Sequence, residues 1–346
     1  MKIIIDDKIP FIKGQAEKLG EILYRTGSQI TSEDVRDADA LIVRTRTLCN
    51  EALLAQSHVK FIATATIGYD HIDVDYLNRA NIAWTNCPGC NATSVAQYVA
   101  CTLLLLEQDG MLNLQEATIG IIGVGHVGKR VQERLEAMGC RVLLNDPPRA
   151  EREPDFAQNH TDLATLLQEC DVITCHTPLT YNGDHPTFHL VDHSFFNHLG
   201  KSPIFINAGR GEVVRTEALI QAIDSKQIRA AVIDTWENEP NINMELLQKV
   251  YIGTPHIAGY SADGKANGTR MSLEAVARYF GKDITFDVQA PPLPEDYSYD
   301  PQRRYTNHEQ LRLYNPVYDS ERLKAHPEQF EQIRGDYPLR RETTNQ

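Results

Sequence analysis

The chain is short of positive charge. Its 346 residues carry 34 lysines and arginines against 47 aspartates and glutamates, a formal net charge of −13. That deficit excludes a general nucleic-acid or anionic-membrane surface, because both need a dominant basic field. An anionic substrate would have to find its counter-charge in one concentrated pocket. Long apolar runs are missing too. The longest, Val99 to Leu106, includes the hydroxyl of Thr102 and falls far below the ~18 apolar residues of a spanning helix. At the start, Met1-Lys2-Ile3-Ile4-Ile5-Asp6-Asp7 places acids directly after three isoleucines. This reads as a first strand and not a secretory signal, so the expected location is the cytoplasm. Internal repeats are absent. The seven cysteines are odd in number, and Cys101, Cys140 and Cys175 lie in apolar runs, as reduced core residues do. Cys87-Pro88-Gly89-Cys90 has no second Cys pair or His pair at zinc-finger spacing, so no structural metal is expected. An ordinary Pro-Gly turn between a strand, Ile82 to Thr85, and a helix from Thr93 is expected in preference to a redox pair.

What is present is a chain of about two typical domains, at ~150 residues each, with 42% hydrophobic residues. Lys2 to Ile5, Ala40 to Val43, Phe61 to Ala65 and Ile82 to Thr85 read as short strands. Helical patterns, such as Pro10 to Leu23 and Ser32 to Arg36, separate them. This alternation predicts an α/β fold with a parallel sheet. A long helix from Ser94 to Glu107, apolar on most faces, should be buried. Six more apolar runs follow: Thr118 to Ile122, Arg141 to Leu144, Val172 to Cys175, Ile204 to Asn207, Ala230 to Ile233 and Val250 to Ile252. They suggest a complete doubly wound dinucleotide domain. An amphipathic helix, Gly264 to Phe280, should return to the first domain. Residues 289 to 346 hold seven of the 17 prolines and six of the 14 tyrosines. Such a tail is either disordered or a small module that buries its tyrosines against a partner subunit.

The run Ile119 to Gly128 contains Gly123-x-Gly125-x-x-Gly128 between a strand and a helix with Val127, Val131 and Leu135 on one face. Gly123 permits the tight turn, Gly125 the approach of a pyrophosphate, and Gly128 close helix–strand packing. Asp146 ends the next strand, 18 residues after Gly128. An acid there binds ribose hydroxyls and repels a 2′-phosphate, favouring NAD over NADP.

In an open α/β sheet, ligands bind beyond the carboxyl ends of the strands. There the sequence places Asn207-Ala208-Gly209-Arg210-Gly211, then Asp234-Thr235-Trp236-Glu237-Asn238-Glu239-Pro240, then Thr254-Pro255-His256-Ile257-Ala258-Gly259. Each of Arg210, Glu239 and His256 alone could be a turn or surface residue. Together, at successive strand ends, they suit oxidation of an α-hydroxy acid. His256 would take the hydroxyl proton. Glu239 would orient the imidazole and raise its pKa. Arg210 would grip the substrate carboxylate and polarise the C2 oxygen.

These three stretches resemble the signatures of the D-isomer-specific 2-hydroxyacid dehydrogenases, over about residues 1 to 283. The resemblance implies a Rossmann-type NAD domain, 96–257, inserted into a flavodoxin-like substrate domain formed by 1–95 and 258–283. It also implies catalysis by the matching Arg, Glu and His. Val43 to Thr47, Thr64 to Asp73, Asn86 to Ala92, Asn145 to Ala150 and His256 to Ser261 are similar to one branch of the family, which acts on a phosphorylated 2-hydroxy acid. By that similarity, Thr45, Thr66 and Tyr260 would touch substrate. Thr177, Ala208, Asp234 and Gly259 would join Asp146 around NAD. Phe330 to Arg334 and Asp336 to Glu342 look like part of that branch's dimerisation domain, so 284–346 is expected to be a short dimerisation segment of a homodimer. Arg44 and Arg46, two apart beyond a strand, would share one face and meet the phosphate. Crossings near Ser94 and Gly264 are expected to be hinges. Two alternatives stay open: another member of the family, such as a phosphoglycerate dehydrogenase, or a non-catalytic NAD-sensing, corepressor-like protein.

Overall fold

The computed structural model describes residues 1–294, 297, 299, 308–338 and 340–342. They form two compact units, one of Met1–Asn91 with Ser261–Leu293, the other of Ala92–Tyr260 with the tail from Pro294.

The first unit carries five parallel strands: β1 (Lys2–Asp6), β2 (Glu21–Arg25), β3 (Ala40–Val43), β4 (Phe61–Thr64) and β5 (Ala83–Thr85), in the order β2-β1-β3-β4-β5. This is the flavodoxin-like order. Ile3, Ile5, Ile42 and Ala63 pack on one face with Leu273 and Val276 of the helix Ala262–Tyr279. Ile4, Leu41, Val43 and Ile62 pack on the other. Period-two side chains that are apolar on both faces mark a buried parallel sheet. The helix expected over 10–23 does not form. Gly14 and Gly20 sit at φ +83° and +153°, which no right-handed helix allows. A Cβ on Gly20 would stand only 2.4 Å from the Met1 carbonyl oxygen. The chain makes one 3₁₀ turn, Ala16–Lys18, and then pairs as β2 along β1.

The second unit holds β6 (Thr118–Ile122), β7 (Arg141–Asn145), β8 (Val172–Cys175), β9 (Ile204–Asn207), β10 (Ala230–Ile233) and β11 (Ile252–Gly253), all parallel, in the order β11-β10-β9-β8-β6-β7. The strand order reverses between β6 and β8, and a doubly wound sheet opens its ligand crevice at that point. The helix Ala92–Gln108 is buried along most of its length. Leu103 to Leu106 are all at most 6% exposed, worth about 1.5–3 kcal/mol each.

The tail folds onto the second unit. Leu311 and Tyr314 enter the cluster around the helix Ala92–Gln108. Leu323, Phe330 and Ile333 enter the cluster on the opposite side of the sheet. Tyr314 and Tyr337 are buried within the chain itself, so their burial does not depend on a partner subunit. Leu339 and much of 295–307, quoted from the sequence, lie outside the described residues.

Candidate active site

The glycine turn follows β6 and leads into the helix His126–Ala137. Gly123 adopts φ +86°, and a Cβ there would meet the His176 backbone at 2.8 Å. A Cβ on Gly128 would lie 2.0 Å from the Gly123 carbonyl oxygen. At Gly125 a Cβ would meet nothing within 4 Å, so the helix N-terminus faces open space. One glycine turns, one packs, and one leaves room. The Asp146 carboxylate closes the turn, accepting from Val124 N at 2.8 Å and from Arg149 N at 3.0 Å. It thereby also caps the helix Pro147–Arg152.

Across the crevice, β8 runs into His176 and Thr177. Burial pushes the His176 imidazole down to about 3, so it is neutral. Its Nε2 pairs with the Thr174 hydroxyl at 2.9 Å. His176 Nδ1, Thr177 Oγ1 and Thr235 Oγ1 are buried without a hydrogen-bond partner among the described residues. Orphaned polar atoms at strand ends beside a glycine turn fit a polar ligand such as a dinucleotide.

Arg210 follows β9. Asn207, wholly buried, folds this loop by donating to Arg210 O at 3.0 Å and accepting from Gly209 N at 3.2 Å. A Cβ on Gly211 would fall 1.9 Å from Trp236 O, so the loop lies against the residues after β10. The Arg210 guanidinium donates to Gly209 O at 3.0 Å and has no carboxylate partner among the described residues. Ala208 is half-buried beside it.

Glu239 and His256 meet directly. His256 Nδ1 lies 2.8 Å from Glu239 Oε2, and Trp236 N donates to Glu239 Oε1 at 2.9 Å. Burial works against ionisation of Glu239. The His256 hydrogen bond and charge, the Trp236 N–H and the charge of Arg334 outweigh it and hold the carboxyl below its usual range. An ionised Glu239 can only accept, so Nδ1 carries the proton and Nε2 is left as the open acceptor. His256 itself sits at φ +57°, a left-handed conformation uncommon for a side-chain-bearing residue. Its N–H is held by Asp234 O at 2.8 Å.

Asp234 points inward. Its carboxylate, 1% exposed, accepts from Thr254 Oγ1 at 2.6 Å, Ile257 N at 2.8 Å and Ala258 N at 3.0 Å. Gly259 and Tyr260 complete this loop, and the Arg334 guanidinium of the tail stands 5.9 Å from the Tyr260 ring centre.

In the first unit, β3 ends at Val43, and residues 44–47 form a turn closed by Thr47 N to Arg44 O at 3.3 Å. Strand alternation therefore does not align Arg44 with Arg46. Arg44 Nε is paired at 3.1 Å with the fully buried Asp6, while Thr45 and Arg46 are exposed. Thr66 follows the neighbouring β4, its hydroxyl 2.7 Å from that of Thr64 and donating to Gly68 O at 2.8 Å. Cys87 is buried, with its Sγ 3.2 Å from Gly268 O and 3.3 Å from Ser272 Oγ. Burial pushes its thiol up to about 11, which suits a packing role and not redox exchange.

Two parallel sheets, a dinucleotide turn and a carboxylate-held histidine define a nicotinamide-dependent dehydrogenase class. Residues 106–258 match the NAD-binding domain model of the D-isomer specific 2-hydroxyacid dehydrogenases. The chain is 54% identical to erythronate-4-phosphate dehydrogenase of Bacteroides thetaiotaomicron, over 99% of this chain and 97% of the relative. It is 42% identical to the enzyme of that name from Escherichia coli SMS-3-5, over 99% and 92%. Among solved structures, the NAD-complexed D-isomer specific 2-hydroxyacid dehydrogenase of Lactobacillus delbrueckii is similar with a TM-score of 0.67 at 25% identity, covering 84% of this chain and all of that one. D-lactate dehydrogenase from Aquifex aeolicus, complexed with NAD and lactic acid, gives 0.65 at 26% identity, over 81% and 96%. The chain belongs to the D-isomer specific 2-hydroxyacid dehydrogenases and, within them, to the erythronate-4-phosphate dehydrogenase group. It is an NAD-dependent enzyme of that family, and no helix among its described residues is long and apolar enough to cross a membrane.

Proposed function

We propose that the chain oxidises 4-phospho-D-erythronate to (R)-3-hydroxy-2-oxo-4-phosphooxybutanoate, a step of pyridoxal 5′-phosphate synthesis in the cytoplasm. The His256–Glu239 pair on the rim that also carries the dinucleotide turn is the observation that supports the chemistry. The shared identity with the erythronate-4-phosphate enzymes supports the substrate. NAD, when bound, supplies the hydride acceptor. Gly123, Gly125 and Gly128 would admit its pyrophosphate and Asp146 would take its ribose hydroxyls. Thr177, Thr235 and Ala208 would line the remainder. Asp234 would contribute by holding the Gly259 loop. His256 Nε2 takes the C2 hydroxyl proton while Glu239 stabilises the resulting imidazolium. Arg210, without a carboxylate partner among the described residues, grips the substrate carboxylate with its planar fork. Thr45, Thr66 and Tyr260 would position the substrate, and Arg44 and Arg46 would meet its phosphate. The tail would carry the contact of a homodimer, which analytical ultracentrifugation reads directly.

The test is a substrate panel followed by NADH fluorescence. 4-Phosphoerythronate should be turned over far faster than 3-phosphoglycerate or D-lactate. Equal rates on D-lactate would remove the phosphate from the argument.

A further inference from the structure

The catalytic loop has a second support, which comes from the tail. Arg340 is 1% exposed, a fully buried cation. Its Nη1 donates to Ile257 O at 3.1 Å and Tyr260 O at 3.0 Å. Its Nη2 donates to Ala258 O at 2.5 Å and Ser94 Oγ at 3.2 Å, and its Nε to Gln97 Oε1 at 3.0 Å. The guanidinium carbon stacks 3.8 Å from the Tyr314 ring centre. Three tyrosine hydroxyls, those of Tyr299, Tyr314 and Tyr337, donate to the buried Asp319 at 2.7, 3.0 and 3.0 Å. This cluster ties the tail down around the arginine.

Residues 257–260 are thus gripped from two sides. The N–H groups of Ile257 and Ala258 go to the buried Asp234 carboxylate, and the carbonyls of Ile257, Ala258 and Tyr260 go to the buried cation Arg340. The residue directly before them is His256, in a left-handed conformation of the kind that persists only where the surroundings over-determine it.

We propose that Arg340 is a positioning residue for the reaction: by binding the carbonyls of Ile257, Ala258 and Tyr260 it fixes the loop that aims His256 Nε2 at the substrate hydroxyl. The tail is then part of the catalytic apparatus of its own subunit. This rests on the reading of His256 as the base. Lysine cannot replace Arg340, because a point charge cannot reach three divergent carbonyls at once.

The experiment uses the full-length chain with Arg340→Lys, Gln97→Ala, His256→Ala and the double variant His256→Ala/Arg340→Lys. Arg340→Lys should lower kcat by about 30- to 300-fold, the effect of displacing a reacting group by roughly 1 Å. NAD affinity should stay within about threefold, since binding and turnover separate when only positioning is lost. Amide exchange over 257–260 should quicken by at least about tenfold, as expected for a freed local unit. Gln97→Ala should move the same quantities less. The double variant should be no slower than His256→Ala alone, because the arginine acts through the histidine. Wild-type kcat in Arg340→Lys, unchanged exchange over 257–260, or a further loss in the double variant would each overturn the proposal. If Arg340→Lys does not fold, Gln97→Ala carries the same kcat and exchange readouts. If His256→Ala turns over normally, the base assignment falls, and amide exchange still decides whether Arg340 holds the loop.

Discussion

Replacing Glu239 by glutamine should be worse for turnover than replacing it by alanine. In the wild type, one carboxylate oxygen accepts from Trp236 N and the other faces His256 Nδ1. A glutamine in the same place must keep its carbonyl oxygen on the Trp236 N–H, because the amide NH₂ cannot accept. Its NH₂ then faces Nδ1 and makes it an acceptor. The proton moves to Nε2, where it blocks the very atom that must receive the substrate proton. To recover the active tautomer, the amide must flip, which puts its carbonyl on Nδ1–H but sets its NH₂ against the Trp236 N–H, leaving two donors unsatisfied at ~1–3 kcal/mol each. The sum, about 2–6 kcal/mol, corresponds to a fall in kcat of about 30- to 10⁴-fold. Alanine removes the orienting acceptor but leaves the imidazole free to choose either tautomer, so its loss should be about tenfold to a hundredfold. The assay is NADH production under saturating NAD and substrate, with NAD affinity as the control for intact binding. A glutamine variant that keeps a third of wild-type turnover, or an alanine variant slower than it, would refute the tautomer reasoning.

Asp146→Ser keeps an acceptor for the Val124 and Arg149 N–H groups while removing the charge; preference for NAD over NADP, measured as a ratio of kcat/KM values, should shrink by at least about tenfold. Arg46→Met should weaken phosphorylated substrates far more than unphosphorylated ones, whereas Arg44→Met should also lower the melting temperature by taking the ion-pair partner from the buried Asp6 Oδ2, at ~1–3 kcal/mol. His176 is held neutral with its pKa lowered to about 3 by burial. The unfolded chain therefore binds a proton that the folded chain refuses. Stability should fall as pH drops from ~6.5 toward 3, with a limiting slope of about 1.4 kcal/mol per pH unit; urea titrations of His176→Gln should show a flatter acid limb, and an identical limb would count against this source.

Most strands were legible because a sheet buried on both faces demands continuous apolar runs, and six such runs stand between 118 and 252. The dinucleotide turn was legible for a stricter reason: Gly123 and Gly128 have no room for a Cβ, so the motif is a record of packing. β2 was not legible. Its residues Glu21–Arg25 form a partly exposed edge strand without a clean alternation, and the two glycines before it look helical in period though they forbid a helix in conformation. Pairing of Glu239 with His256 could be expected from their strand-end positions, but the handedness of His256 could not, since it depends on Asp234 and Arg340 from distant parts of the chain. Arg44 shows the opposite failure. Spacing alone put it with Arg46, whereas β3 stops at Val43 and the buried Asp6 claims its Nε.

A chain with thirteen excess negative charges must still present a cationic face to an anionic substrate. The second unit manages this by the way it uses its acids. Glu239 gives one oxygen to Trp236 N and the other to His256, and Asp234 turns both oxygens onto the loop and Thr254. Both acids are thereby engaged by the loops around them, while Arg210 has no carboxylate partner among the described residues. Buried acids that solvate N–H groups project little field toward solvent, whereas a part-exposed guanidinium that lacks a carboxylate partner projects more of its own. The overall charge sign therefore does not set the sign of the pocket, and neutral substitutions of Asp234 or Glu239 should disturb geometry more than they alter electrostatic attraction for substrate.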